Sequence, residues 1–426
     1  MSRDPLPGNS GTKGILAGPF RQIIPLAGLP LKGPLSDTAL HIIGEGGILF
    51  QGERVARIGR FSDLYAECDR RNTGLLEVTG DHVLLPGFID AHTHICFGGS
   101  RAHDYSLRLQ GLSYREIASR GGGIWNTVTA TRKIPLPELA AITAHRAGVM
   151  LRGGITTAEV KSGYGLEPDF ELDMLRAIRS AGAFQPVSLI PTCLAAHVLP
   201  RDYAGDSNDY LRYIAGVLLP AIRRESLCDR VDIFVEKGAF NPAESHEYLG
   251  ESRKQGFDLT VHADQFHTGG SRLAVEMDAC SADHLEASGA AEIELLARSN
   301  TVATVLPGAS LGLGIPFAPA RKLLDAGACL AIASDWNPGS APMGDLLTGA
   351  ALLGIYEKLS CAEMLAGITF RAARALRLQD RGILGEGLSG DAVAFPCSDF
   401  REIFYFQGSM KPEKVWKKGV LVYGNI

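Results

Sequence analysis

The feature that most limits how this chain can fold is a regular alternation of short apolar runs with helix-like segments. One helix-like segment is residues 171–180, where Leu172, Leu175 and Ile178 have helical spacing, and residues 318–326 form another. The strand-like runs occupy residues 83–89, 155–160, 187–190, 231–235, 258–261, 282–285, 302–306 and 330–333. Eight strand–helix units in series predict an α/β protein built on a parallel, TIM-like (β/α)8 barrel.

The two ends of the chain carry a second, purely β-type pattern. Residues 39–60 are typical of hairpins around a Gly-Glu-Gly-Gly turn, and strand-like runs return at 390–395 and 419–423. We therefore expect a small composite β-sandwich domain made of residues 1–85 and 386–426. The catalytic barrel would then be residues 86–385, since such barrels commonly exceed about 200 residues as single domains.

Composition excludes several classes of partner. The chain is 46% hydrophobic and 21% charged with a net charge of −5, and it has no basic patch of the kind that binds nucleic acid. No apolar run approaches the roughly 18 residues of a membrane span, and the N-terminus lacks the apolar core of a signal peptide. The eight cysteines are scattered without paired spacing, which favours reduced thiols. We expect a cytoplasmic protein with no membrane or nucleic-acid partner.

Two histidines at the end of the first barrel strand provide the strongest chemical signal. His92 and His94 close the motif Pro-Gly-Phe-Ile-Asp-Ala-His-Thr-His at 86–94. Because side chains two residues apart on a strand point the same way, both imidazoles can chelate one metal ion. An isolated pair would more often be ordinary buried or surface histidines, so a metal site requires further ligands elsewhere in the chain.

Further ligands occur where a barrel would bring them together. His262 follows the fifth strand, His284 the sixth and Asp335 the eighth. Functional side chains of such barrels lie at the C-terminal ends of the strands. Imidazoles and a carboxylate around one point suit Zn²⁺ or Fe²⁺. A bound metal ion would polarise a carbonyl and lower the pKa of its water towards about 7, which predicts a metal-dependent hydrolase.

Longer motifs resemble those of the imidazolonepropionases, in the amidohydrolase superfamily. The most specific are Phe-Gly-Gly-Ser-Arg at 97–101 and Val-Lys-Ser-Gly-Tyr-Gly at 160–165, because the metal motifs alone would indicate only the superfamily. Similar motifs occupy residues 86–94, 108–111, 121–124, 262–264, 281–284 and 335–340. The resemblance covers most of the chain from about residue 45 onward, and it implies a barrel of the metal-dependent hydrolase type.

That family opens the five-membered ring of imidazolone propionate to give formiminoglutamate in histidine breakdown. The resemblance implies one divalent metal ion, Zn²⁺ or Fe²⁺/Fe³⁺, and a homodimer. The implied metal ligands are His92, His94, His262 and Asp335. The implied catalytic residues are Asp335, which takes up a proton, and His284, which lies near the scissile carbonyl. The implied substrate-binding residues are Arg101, Tyr114, Tyr164, His197, Gln265, Asn337, Gly339 and Ser340, with Arg101 pairing with the substrate carboxylate.

Gln265 departs from the family pattern, which usually reads His-Ala-Asp-Glu-Phe where this chain reads His-Ala-Asp-Gln-Phe. Glutamine cannot take up or release a proton. Two hypotheses follow. Asp335 and His284 carry the protons of an imidazolonepropionase, or the enzyme is a sister amidohydrolase that opens a hydantoin- or thiohydantoin-propionate ring. A glutamine amide would suit a C=O or C=S group beside N–H in such a ring.

Three other classes are less well supported by the residues. A non-catalytic relative would be expected to lack metal ligands, and all of them are present. A nucleobase or pterin aminohydrolase would need an acidic proton shuttle, often at the position of Gln265. A binuclear hydrolase would need a bridging lysine, for which only Lys161 and Lys237 lie at strand ends.

Overall fold

The computed structural model describes residues 14–112, 116–117 and 121–425. Its strands are β1 Gly14–Ile23, β2 Ile43–Gln51, β3 Arg54–Arg60, β4 Thr73–Glu77, β5 Val83–Pro86, β6 Phe88–Asp90, β7 Ile155–Lys161, β8 Ser188–Ala196, β9 Arg230–Val235, β10 Asp258–Ala263, β11 Ser281–His284, β12 Val302–Val305, β13 Leu330–Ile332, β14 Ala392–Phe395, β15 Lys414–Lys417 and β16 Val420–Tyr423.

A short 3-10 helix, Asp37–Ala39, precedes the α-helices. These are α1 Phe61–Glu67, α2 Ala102–Leu109, α3 Ile124–Thr131, α4 Leu136–Arg152, α5 Pro168–Phe184, α6 Ser207–Glu225, α7 Pro242–Lys254, α8 Gly270–Glu276, α9 Ala290–Arg298, α10 Pro307–Leu313, α11 Ala320–Asp325, α12 Leu346–Glu357, α13 Cys361–Gly367, α14 Phe370–Ala375 and α15 Arg401–Tyr405. None of these helices is long and apolar enough to cross a membrane.

Strands β6 to β13 form the predicted parallel barrel. Each strand pairs in parallel with its neighbours in chain order, from β6 to β13. The ring closes just beyond β6 and β13, where Thr93 and Trp336 form an isolated parallel bridge. The backbone N–H of Asp335 also donates to the carbonyl of His92 at 3.1 Å. The closure therefore joins two segments that carry predicted metal ligands.

The first predicted run is divided between two sheets. Residues of β5 pair with β1 and β14 in the sheet of the chain ends, whereas β6 opens the barrel. Gly87 lies between them, and a Cβ there would come within 2.4 Å of Thr156 Oγ1. A glycine is required because the backbone passes so closely to β7 at this crossing point. The other predicted runs each overlap one barrel strand.

The chain ends form one mixed sheet, in the order β16-β15-β14-β5-β1-β2-β3, with β4 also paired to β1. It has its own apolar core, in which Trp416 packs against Phe20 and Phe50 with ring centroids 6.1 and 6.3 Å apart. The barrel and this sheet together confirm the predicted fold class. The exact domain boundaries stay a prediction.

Candidate metal and substrate site

The predicted site residues lie at the C-terminal ends of the barrel strands. His92 and His94 follow β6, and Asp335 follows β13. His262 is the penultimate residue of β10, and His284 is the last residue of β11. All five side chains are buried. Tyr114, a predicted substrate-binding residue, lies outside the described residues.

Three imidazole nitrogens and one carboxylate oxygen converge on one point. The Nε2 atom of His94 lies 3.1 Å from His92 Nε2 and 3.3 Å from His262 Nε2. Asp335 Oδ1 lies 3.5 Å from His92 Nε2 and 3.4 Å from His94 Nε2. The ligand atoms of His92, His262 and His284 also lie within 4.8 Å of one another, which places His284 beside this point.

Two buried carboxylates set the orientation of these rings. Asp283 Oδ2 lies 2.7 Å from His92 Nδ1, and Asp232 Oδ2 lies 2.8 Å from His262 Nδ1. An ionised carboxylate can only accept, so each ring carries its hydrogen on Nδ1 and a lone pair on Nε2. Lone pairs and a carboxylate oxygen this close together repel one another unless a cation lies between them. The residues therefore fit a divalent metal ion.

Burial and neighbouring charges shift the pKa values of these groups. Burial and Lys161 would lower the pKa of His92, but Asp283 and Asp335 raise it to about 9, so this ring would release a proton on binding a metal ion. Burial lowers the pKa of His94 to about 3 and that of His262 well below its usual value. Burial alone would raise the pKa of Asp335, but its interactions with the His92 and His94 rings hold it well below its ordinary value. Neutral imidazoles and an ionised carboxylate are the forms that bind a cation.

Lys161 neutralises the carboxylates behind the histidines. Its Nζ lies 2.7 Å from Glu159 Oε2, 2.8 Å from Asp232 Oδ2 and 3.7 Å from Asp283 Oδ2, and its side chain is fully buried. Burial would lower the pKa of Lys161, but Asp232 and Glu159 raise it above its usual value, so the ammonium stays charged. Because Lys161 stays charged and already contacts three carboxylates, it does not suit the role of bridging ligand in a binuclear centre.

A cavity of about 560 Å³ opens above the converging atoms. This volume is typical of small-molecule sites. The predicted substrate-binding residues in the described part of the chain all line it: Arg101, Tyr164, His197, Gln265, Asn337, Gly339 and Ser340.

Arg101 is the cation of this cavity that is best placed for a carboxylate. Its side chain is only 8% exposed, and its Nε donates to Asp104 Oδ2 at 2.9 Å. The same carboxylate oxygen accepts from the backbone N–H of Gly123 at 2.8 Å, so Asp104 connects the Gly-Gly-Gly segment at 121–123 to Arg101. A Cβ on Gly339 would come within 2.2 Å of Arg101 Nη1. Gly339 thus makes room for the guanidinium.

Tyr164 and His197 form one wall next to the metal ligands. The Tyr164 ring centroid lies 5.5 Å from that of His197 and 6.1 Å from that of His94. His197 Nδ1 donates to the carbonyl of Gly163 at 2.9 Å, and burial lowers the pKa of His197 to about 4. A neutral ring held in this way presents Nε2 as a hydrogen-bond acceptor.

Asn337 is committed to the loop after β13. Its Oδ1 accepts from the backbone N–H groups of Gly339 and Ser340 at 2.7 and 2.8 Å, and its Nδ2 donates to the Asp335 carbonyl at 2.7 Å. Ser340 Oγ in turn donates to Asp335 Oδ2 at 3.3 Å. The amide of Asn337 therefore shapes the loop that carries both Ser340 and Asp335.

Several participating residues were not predicted from the sequence. Glu236 Oε1 lies 2.5 Å from His267 Nδ1, and both residues line the cavity. Asp232 has apolar residues on both sides in β9, and a charged residue inside a buried strand was the available signal. Asp104 offers no such signal, because one acidic residue on a helix is ordinary.

The chain is similar in sequence to known proteins over most of its length. The sequence profile of the amidohydrolase family matches residues 118–423. The imidazolonepropionase of Deinococcus radiodurans is 40% identical over 92% of this chain and 96% of that relative. The imidazolonepropionase of Rubrobacter xylanophilus is 39% identical over 97% of this chain and 99% of the relative.

Solved structures of more distant proteins share the fold. An adenosine deaminase from Xanthomonas campestris with bound zinc has a TM-score of 0.71 at 19% identity, covering 97% of this chain and 93% of the other. An atrazine chlorohydrolase from Arthrobacter aurescens, complexed with zinc, has a TM-score of 0.70 at 17% identity, covering 96% and 95%. At these identities the likeness concerns the fold alone.

Proposed function

Because the chain belongs to the imidazolonepropionases of the amidohydrolase family, we propose that it hydrolyses an imidazolone ring that carries a propionate side chain. The reaction opens a cyclic amide by breaking its C–N bond and yields formiminoglutamate, as in histidine degradation. The convergence of His92, His94, His262 and Asp335 at the base of a cavity that also holds Arg101 carries this proposal. The homodimer implied by the resemblance stays a prediction.

One divalent metal ion, Zn²⁺ or Fe²⁺, would be held by His92, His94, His262 and Asp335. When bound, it supplies an acidified water and a positive charge that polarises the amide carbonyl. Asp283 and Asp232 contact Nδ1 of His92 and His262 and so hold each Nε2 towards the point where the metal ion would bind. The ligands therefore need little reorganisation.

Arg101 would orient the substrate by its propionate. Nε is taken by Asp104, so the two terminal nitrogens remain for a carboxylate, in the fork geometry that guanidinium provides. Tyr164 and His197 line the same cavity next to His94, where the ring would lie. A substrate held by its carboxylate keeps its ring carbonyl at one position relative to the attacking water. This positioning raises the rate of attack.

Asp335 and His284 would move the protons. Water adds its oxygen to the ring carbonyl carbon and gives one proton to Asp335. That proton then passes through His284 to the ring nitrogen as the C–N bond breaks. Gln265 lines the cavity but cannot titrate, so its amide would bind the ring by hydrogen bonding alone.

A substrate panel tests the ring. With metal-reconstituted enzyme, we expect kcat/KM for imidazolone propionate to exceed those for hydantoin propionate and thiohydantoin propionate by roughly tenfold or more, the effect of one hydrogen bond of about 1.4 kcal/mol. Steady-state kinetics on all three rings measure it. Preference for hydantoin or thiohydantoin would instead support the sister enzyme suggested by Gln265.

Replacement of Arg101 by methionine tests the carboxylate-binding role. We expect KM to rise roughly 10- to 100-fold with a smaller change in kcat, because charge-assisted hydrogen bonds contribute about 1.5–3 kcal/mol. Arg101→Lys is the matched control, since it keeps the charge and loses the fork, and its KM should lie between the two. An unchanged KM in Arg101→Met would contradict the assignment.

A further inference from the structure

Glu286 lies next to His284 and is not among the residues that line the cavity. It follows β11 by two residues, and its side chain is only 3% exposed. Its Oε2 lies 3.6 Å from His284 Nδ1, and its Oε1 accepts from Ser310 Oγ in α10 at 3.1 Å. Glu286 is thus a buried acidic group next to a catalytic imidazole, and the reaction described above does not use it.

Within the described part of the chain, the two facing atoms have no other partner. Both Oε2 of Glu286 and Nδ1 of His284 are buried and make no hydrogen bond there. Buried polar atoms are rarely left unpaired, because desolvation costs roughly 1–3 kcal/mol for each. A separation of 3.6 Å is a few tenths of an ångström longer than a hydrogen bond, so a small side-chain rotation joins them.

The backbone brings Glu286 back towards the ring. His284 and Leu285 both have positive φ, 89° and 72°, a conformation that non-glycine residues seldom adopt. The turn is held by Leu285 N–H, which donates to the Ala263 carbonyl at 3.0 Å, and by Ala287 N–H, which donates to the Asp264 carbonyl at 2.7 Å. Two successive left-handed residues are unfavourable and persist only where the surroundings enforce them.

Two of the acidic side chains that line the cavity bind other groups of the protein. Asp104 binds Arg101 and Gly123. Glu236 binds the His267 ring and the backbone N–H groups of Phe266 and His267. Gln265 cannot carry a proton, and His284 lines the cavity together with Asp335, so we assign the relay of the proton from Asp335 to His284.

We propose that Glu286 is the positioning residue of His284: its Oε2 accepts the Nδ1 hydrogen and leaves Nε2 facing the cavity. This inference rests on the proposed function and deepens it. With Nδ1 occupied, the Nε2 lone pair takes the proton from Asp335 and passes it to the leaving ring nitrogen. Glu286 accepts the Nδ1 hydrogen bond of the ring between the two transfers and takes part in neither, so the proton that leaves Asp335 is the one that reaches the ring nitrogen.

Glu286→Gln tests the proposal with an isosteric change. We expect kcat to fall roughly 10- to 100-fold, the usual effect of removing the residue that orients a catalytic group. KM and metal content should stay the same, because Glu286 does not line the cavity and its side-chain partners among the described residues are His284 and Ser310. Glu286→Asp, which keeps the charge, should recover part of kcat. Ser310→Ala removes the other partner of the same carboxylate and should keep kcat within about threefold of wild type.

A spectroscopic measurement tests the tautomer without turnover. In zinc-loaded enzyme labelled with ¹⁵N-histidine, we expect His284 to carry its hydrogen on Nδ1, and this form to be lost in Glu286→Gln. A predominantly Nε2-protonated ring in the wild type would overturn the proposal. So would Glu286→Gln with wild-type kcat, or with lowered metal content and no recovery in Glu286→Asp. If the wild type prefers another ring, the proposed substrate fails, whereas the ratio of kcat values on that ring still decides the role of Glu286.

Discussion

Replacing Asp335 by asparagine is expected to lower kcat by roughly 10³- to 10⁴-fold, near the upper end of what acid–base catalysis contributes. The asparagine amide has nearly the same shape, and its oxygen can still face His92 and His94. It cannot take up the proton of the attacking water. Steady-state kinetics and metal analysis of the same preparation separate the loss of proton transfer from the loss of metal.

Asp206→Asn is the matched control for this substitution. Asp206 is exposed and caps the N-terminus of α6, where its side chain accepts from the backbone N–H of Asp209. Asparagine caps helices as well as aspartate does, so both stability and kcat should be unchanged. Near-normal turnover of metal-loaded Asp335→Asn would refute the assigned role.

Replacing Lys161 by methionine is expected to destabilise the protein by about 3–5 kcal/mol, the usual result of removing one partner of a buried ion pair. The substitution would leave Glu159, Asp232 and Asp283 buried without their common cation. Because Asp232 and Asp283 orient two of the metal-binding rings, the metal should also bind more weakly. Denaturant unfolding of the metal-free protein and metal titration monitor the two effects.

Lys237→Met makes the same substitution at an exposed position just beyond β9. It should change the free energy of unfolding by less than about 0.5 kcal/mol. A Lys161→Met protein as stable as the wild type, and with the same metal affinity, would show that the buried ammonium is dispensable.

The barrel and the metal ligands were predictable because their signals are local. An apolar run and the helical spacing after it depend on neighbouring residues, and a barrel brings every strand end to the same face whatever the loops do. His92 and His94 could be recognised from the two-residue period of a strand, and His262 and Asp335 from their places after later strands.

The contacts that orient those ligands depended on the tertiary structure. Asp283 and His92 are 191 residues apart, and no local pattern indicates that the carboxylate meets Nδ1 of that ring. The same holds for the division of the first run at Gly87, where the approach of Thr156 decides which sheet each half joins. Periodicity tells which face of a strand is buried, whereas pairing between distant side chains follows from strand register and backbone turns, which only the assembled barrel defines.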